Sequence, residues 1–273
     1  MTISADLHSD TDEETDTGPA SPGGNDPPQT PPASGGKPFP PGPLGPPRGH
    51  PSLVVAVDGP SGAGKSSASR GAAIALGLRY LDTGSMYRAL TWWLLDQGVD
   101  VSDAATVGAL AAEPVIEVGT DPRAPWVRVN GIDVSAAIRT REVTAAVSAV
   151  AAVPRVRAHL IAQQRDIIAN APGIVAEGRD IGTVVAPDAP VKVFLTADST
   201  ARADRRAAET SWSAASTRVD QDRRDRLDAG QSAKAEDAVE IDSTRLDLDQ
   251  VIDVIVRLAR ERADVPYPRQ QTP

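Results

Sequence analysis

Gly59, Gly64, Lys65 and Ser66 fill the pattern G-x-x-x-x-G-K-[ST] within the run Asp58-Gly59-Pro60-Ser61-Gly62-Ala63-Gly64-Lys65-Ser66-Ser67. These residue types suit one task, the holding of a polyphosphate. Glycines at 59, 62 and 64 let the backbone turn its N–H groups toward a single anion. A helix opening near Lys65 adds unpaired N–H groups and the positive end of its dipole. Lys65 supplies a point charge for the outer phosphates, and the Ser66 hydroxyl can ligate Mg²⁺. The loop alone does not say which reaction follows.

Two further stretches offer charge at strand ends. Leu81-Asp82-Thr83-Gly84-Ser85-Met86-Tyr87-Arg88 carries a carboxylate, a hydroxyl, a glycine and an arginine. Ala176-Glu177-Gly178-Arg179-Asp180-Ile181-Gly182 repeats the carboxylate, glycine and arginine without the hydroxyl. Strand ends are where open α/β sheets place their ligands. Lysine occurs only at 37, 65, 192 and 234, whereas arginine is abundant. The planar guanidinium fork suits bidentate phosphate contacts. Any one arginine can equally be a surface charge. That reading is weakest for Arg88 and Arg179, which follow strand ends beside glycines. The chain has no cysteine, and its histidines are His8, His50 and His159. Thiol chemistry, disulfides and Cys-based zinc sites are therefore excluded, and a Ser-His-Asp mechanism has almost nothing to work with.

The elements that must position these groups alternate. A buried strand over 53–58 leads through the loop into a helix at 66–77, then a short strand at 79–82. A helix over 85–97 presents Arg88, Trp92, Trp93 and Leu94 as one amphipathic surface. Short apolar runs at 114–119, 126–129 and 132–134 flank Asn130-Gly131, a hairpin signal, and predict a small antiparallel insertion. Helices follow at 141–152 and 154–170, the second with Pro154 in its first turn. Strands at 174–176 and 191–195, a helix at 199–210, a strand at 238–241 and a helix at 249–262 complete the pattern. Repeated strand–helix units predict an α/β fold with a parallel sheet covered on both faces.

The 273 residues suffice for one or two domains, and the net charge is −9 with a pI near 4.9. An acidic chain is a poor general binder of nucleic acid. No apolar run is long enough to span a bilayer, and no signal-peptide core is present, so the expectation is a soluble cytoplasmic protein without membrane or nucleic-acid partners. Residues 1–50 carry seven acids against Lys37 and Arg48, followed by Pro/Gly runs such as 38–43. Such a composition predicts a disordered arm. Its Pro-rich tract could serve an aromatic groove, or be a solvated leader without a partner.

With these residues in place, the chain resembles bacterial cytidylate kinases, of the nucleoside-monophosphate kinase group of P-loop kinases. The resemblance runs from about 54 to 258. It rests on the loop at 58–66, on 81–88, Ile138-Arg139-Thr140, Pro154-Arg155-Val156-Arg157, and the long run 177–192. It implies a three-layer P-loop fold with a central parallel five-stranded sheet. The kinase domain would span 51–273, with the core at 51–84 and 172–265, a CMP-binding insertion at about 85–171 and a short lid at about 202–231. It also implies transfer of the ATP γ-phosphoryl group to CMP or dCMP with Mg²⁺, by a monomer. By resemblance, Arg88, Arg179 and Arg224 grip the acceptor phosphate with Thr83 beside it. Ser148, Arg157 and Asp180 recognise the cytosine, Asp228 the ribose, and Arg202, Arg205 and Arg206 form a lid helix that closes on ATP. The three lid arginines fall on one helical face and could instead be a solvated face paired with Asp198 and Glu209.

The physical reading runs beside it. A phosphate acceptor needs no general base, and the demand is for positive charge around two polyanions approaching in line. A carboxylate at 180 can accept from the cytosine amino group, where uracil offers only a carbonyl. One region departs from the family pattern R-x-x-x-D-x-x-R: the run from Arg224 keeps the first arginine and Asp228, but ends in Gln231. The stretch after it, and the lid before it, are short. Two other readings stay open at this point: a nucleotide-binding module with reduced turnover, and a P-loop kinase for another small acceptor. A P-loop GTPase is disfavoured, since no Asn-Lys-x-Asp motif occurs.

Overall fold

Val54–Asp58 (β1) carries three valines, and every one of its positions is buried. Such a run suits a central strand of a sheet covered on both faces, and β1 has a neighbour on each edge. It pairs in parallel with Ile174–Glu177 (β6) on one side and with Val191–Thr196 (β7) on the other. Arg79–Asp82 (β2) adds beyond β6 and Val239–Asp242 (β8) beyond β7, so the five-stranded parallel sheet runs β2-β6-β1-β7-β8. This computed structural model describes residues 53–209, 223, 225–228, 230 and 232–262, the side chains of 206–209 excepted. The segment 1–50 lies outside them.

Side chains alternate across the sheet, as the strand period requires. Val54, Ala56, Ile174 and Ala176 join one core, which also holds Met86, Leu90 and Leu94 of Thr83–Asp96 (α2) and Val156 and Leu160 of Pro154–Asn170 (α5). Val55, Val57 and Val175 join the other core with Ala68, Ala72 and Ala73 of Lys65–Leu76 (α1). Val251, Ile255 and Ala259 of the last helix, Leu248–Glu261 (α7), pack into the same layer. Asp247 and Gln250 form a capping box that starts α7. The result is a three-layer α/β arrangement.

Between β2 and β6 the chain builds the prominence beside the sheet. Ala104–Leu110 (α3) precedes Ile116–Val118 (β3), Val127–Val129 (β4) and Ile132–Asp133 (β5), which form an antiparallel sheet of three. Asn130 at φ 51° and Gly131 at φ 80° make the two-residue turn between β4 and β5, as their pairing predicted. Arg141–Ala151 (α4) then leads to α5. After β7 comes Ser199–Glu209 (α6), and residues 225–228 are helical.

Four details differ from the sequence reading. Helix α2 begins at Thr83, not 85, because the Asp82 side chain accepts from the Ser85 N–H and caps it there. Its buried face is Met86, Leu90 and Leu94, while Trp92 and Trp93 are half-buried. Helix α3 was unforeseen: it is short, and its start depends on Asp103 capping Ala105 and Thr106. Ile181–Val185, to which the sequence reading gave no element, is a wide helical turn, closed by bonds from the Val184 and Val185 N–H groups to the Asp180 carbonyl. Among the described residues no single helix is long and apolar enough to cross a membrane.

Candidate active site

The carboxyl ends of β1, β2 and β6 open on one cleft, lined by Lys65, Thr83, Arg88, Ser148, Arg179 and Asp228 among others. Gly59 begins the loop out of β1 at φ 145°, and a Cβ there would stand 2.1 Å from the Leu195 carbonyl oxygen. Only glycine fits. Gly64, at φ 90°, ends the loop without a side-chain cap on α1, so the first N–H groups of that helix face the cleft for an anion. The Lys65 ammonium is buried and donates to the Gly59 and Pro60 carbonyls, each at 2.8 Å. Ser61, Gly62, Ser66 and Ser67 line the same space. Pro60 is half-buried and Ala63 buried.

Asp82 and Glu177 stand side by side at the ends of the paired strands β2 and β6. Glu177 is 3% exposed, and its Oε1 accepts from the Tyr80 hydroxyl at 2.5 Å. Burial pushes its carboxyl well above the ordinary range, and Asp82 pushes further, against Lys65 and the Ser66 hydroxyl. Sequence reasoning missed Tyr80 and Glu177 as site residues. The carboxylates and the Ser66 hydroxyl are hard oxygen donors and suit Mg²⁺. Among the described residues no cluster of three or more His, Asp or Glu could hold a metal. A cation here would thus take most of its ligands from phosphate and water, as Mg²⁺ habitually does.

The residues expected on the acceptor side form a second group. Arg88 donates to the Thr144 hydroxyl at 3.0 Å and the Ile138 carbonyl at 3.3 Å. The Thr83 hydroxyl donates to the Glu177 carbonyl at 2.7 Å. Arg157 is ion-paired with Asp180, which is 6% exposed. The Ser148 hydroxyl is buried in the cleft wall with no hydrogen-bond partner among the described residues, an arrangement that a polar ligand would repair. Arg179 links the two groups. Its Nη1 donates to the Gly59 carbonyl at 3.0 Å, and its Nε reaches Asp228 Oδ2 at 3.2 Å. Behind this contact Asp58, at the end of β1, accepts from the Ile181 and Gly182 N–H groups at 2.8 and 2.7 Å. Burial raises the Asp58 carboxyl to about 6, despite those two bonds.

Two of the expected lid arginines also reach the loop, from its outer side. Arg202 donates to the Ser61 carbonyl at 3.1 Å and to Asp225 at 2.5 Å. Arg205 donates to the Ser243 hydroxyl and carbonyl at 2.9 and 2.5 Å. The Ser243 hydroxyl lies 3.2 Å from the Ala63 carbonyl. Asp225 and Ser243 carried no motif in the sequence. The Arg206 side chain, Arg224 and Gln231 lie outside the described residues.

The chain is similar to known proteins over most of its length. A family model described as cytidylate kinase matches residues 55–261. A cytidylate kinase of Streptomyces griseus subsp. griseus is 55% identical over 213 residues, covering 76% of this chain and 92% of that protein. One from Nocardia farcinica is 48% identical over 219 residues, covering 77% and 94%. Among solved structures, a gluconokinase from Sinorhizobium meliloti 1021 aligns with a TM-score of 0.44 at 14% identity, covering 82% of this chain and 100% of that one.

Proposed function

This chain belongs to the cytidylate kinase family, and on that premise we propose that it transfers the γ-phosphoryl group of ATP to CMP and dCMP, giving ADP and the nucleoside diphosphate. ATP would lie with its phosphates in the loop 59–67, under Lys65 and the first N–H groups of α1. CMP would lie between α4, α5 and the loop after β6. A phosphate oxygen of CMP attacks the γ-phosphorus, the bond to the β-bridging oxygen breaks, and ADP leaves. The nucleophile is already ionised, so the site's task is charge and alignment.

The roles of the side chains follow from their places. Lys65 gives up its carbonyl partners and follows the migrating phosphoryl group. Arg88, Arg179 and Arg224 neutralise the acceptor phosphate, with Thr83 beside it. Ser148, Arg157 and Asp180 take the base, Asp180 by accepting from the cytosine amino group. Asp228 turns from Arg179 to the ribose hydroxyls. Arg202, Arg205 and Arg206 close over ATP. Ser66, Asp82 and Glu177 would hold Mg²⁺, which screens the charge of the phosphates when bound. We take the enzyme to be a cytoplasmic monomer acting on free nucleotides, without nucleic acid or membrane.

The observation that most supports the reading is the 3.0 Å contact between Arg179 of the acceptor side and Gly59 of the donor loop. It brings an acceptor-phosphate cation to the place where a γ-phosphate would arrive. The test is ADP release with ATP and, in turn, CMP, dCMP, UMP and AMP. CMP and dCMP should be turned over far faster than the others. A chain that releases no ADP with either cytidine nucleotide would overturn the proposal.

A further inference from the structure

We infer that Asp58 is a positioning residue that locks the acceptor-binding segment to the donor loop and so sets the registration of the two phosphates. The inference rests on the proposed function and assigns a role that the phosphate-loop pattern leaves open. Asp58 ends β1 and is joined directly to Gly59, the first residue of the donor loop. Its two carboxylate oxygens are used separately. Oδ1 accepts from the Ile181 N–H at 2.8 Å and Oδ2 from the Gly182 N–H at 2.7 Å. These are the two peptides that immediately follow Arg179 and Asp180. One buried carboxylate, 4% exposed, therefore fixes two successive peptide planes of the acceptor segment against the root of the donor loop.

Among the described residues no other acceptor meets these two N–H groups. Ile181 and Gly182 open the turn Ile181–Val185, so their N–H groups precede its internal bonds, which start at Val184 and Val185. The Asp180 side chain does not cap the turn, being paired with Arg157. A Cβ on residue 182 would lie 3.3 Å from Lys192 Cδ and 3.4 Å from Asp58 Oδ2, so glycine permits the approach. The Arg179–Gly59 bond closes the same joint from its solvent side. Charge is required as well as shape, because a single ionised carboxylate accepts at both oxygens, and such bonds are stronger than neutral ones.

Asp58→Asn isolates this role. The amide keeps the volume and one acceptor, but turns an N–H donor toward the second peptide N–H, which cannot pair with it. The donor loop keeps its own backbone. At pH 8 the variant should therefore bind ATP alone, measured by calorimetry, within about twofold of the parent. Its KM for CMP should rise at least about tenfold and its kcat should fall, the scale expected of one orphaned buried donor. If KM for CMP stays put, or ATP affinity falls in parallel, the lock is refuted. Should Asp58→Asn not fold, amide hydrogen exchange of the parent decides. Slow exchange at Ile181 and Gly182 that CMP slows further supports the lock, and exchange as fast as that of exposed amides refutes it. Absence of CDP formation by the parent would instead refute the proposed function, whatever the variant does.

Discussion

At the scale of single residues, Lys65 shows how the phosphate-binding loop is held together. Its ammonium is satisfied by two carbonyls of its own loop, and a phosphate must take it from them. Lys65→Ala should leave the fold intact by circular dichroism and lower kcat by about 10²–10³, the loss seen when one preorganised charge-stabilising donor is removed. Turnover near that of the parent would remove the loop from the chemistry. Asp180→Asn should cut the preference for CMP over UMP in kcat/KM by about 10–100-fold, since one good base contact discriminates by about 1–3 kcal/mol. An unchanged ratio would place the base elsewhere. Two of the buried carboxyls, Asp58 and Glu177, give the protein an uncommon pH response. Asp58 has an ordinary value of 3.8 and is raised to about 6 in the fold, so the native state holds its proton more tightly than the unfolded chain does. That contribution is fully present below about pH 4 and is lost as pH rises through 6, a change of about 3 kcal/mol. Glu177 is raised by burial and acts in the same sense. Denaturant unfolding at pH 4.5, 6 and 8 should show the fall for the parent and a flatter slope for Asp58→Asn and for Glu177→Gln.

At the scale of elements, helix α6 and the segment at 225–228 meet over the donor loop through Arg202 and Asp225. For Arg202 to serve ATP it must leave Asp225, and Asp225→Asn lowers that cost. ATP affinity measured by calorimetry should rise about two- to fivefold, the worth of a partly exposed pair. Weaker binding would mean that Asp225 aims Arg202 rather than competing for it. What the sequence made legible here follows from how local each signal is. The β1–loop–α1 unit was plain, since an apolar run, three glycines and an Ala-rich helix are all contiguous. The turn at Asn130-Gly131 was equally local. Helix α3 and the turn at 181–185 were not, because one depends on a cap at Asp103 and the other on an acceptor, Asp58, more than a hundred residues away. The site divides in the same manner. Lys65, Arg88, Arg179 and Asp180 stand in recognisable runs. Tyr80, Asp225 and Ser243 matter only through partners that folding brings to them.

At the scale of the whole molecule, the sheet order sets the two halves of the cleft side by side, because β6 lies between β1 and β2. Each nucleotide then binds the native state alone and should stabilise all of it. At a hundred times its dissociation constant, CMP should add about 2.7 kcal/mol and raise Tm by about 5–10 °C. UMP at the same concentration should give a clearly smaller shift, and equal shifts would count against base recognition in this cleft. The place of β1 in that order has a consequence for biosynthesis. This strand is the sheet's first to leave the ribosome, yet Val54 pairs with Ile174 and Val55 with Val191. Both neighbours are made more than a hundred residues later, roughly 6–27 s at ordinary translation rates. Throughout that interval the nascent chain carries its most apolar strand with no edge to dock on, the condition in which holding chaperones are recruited.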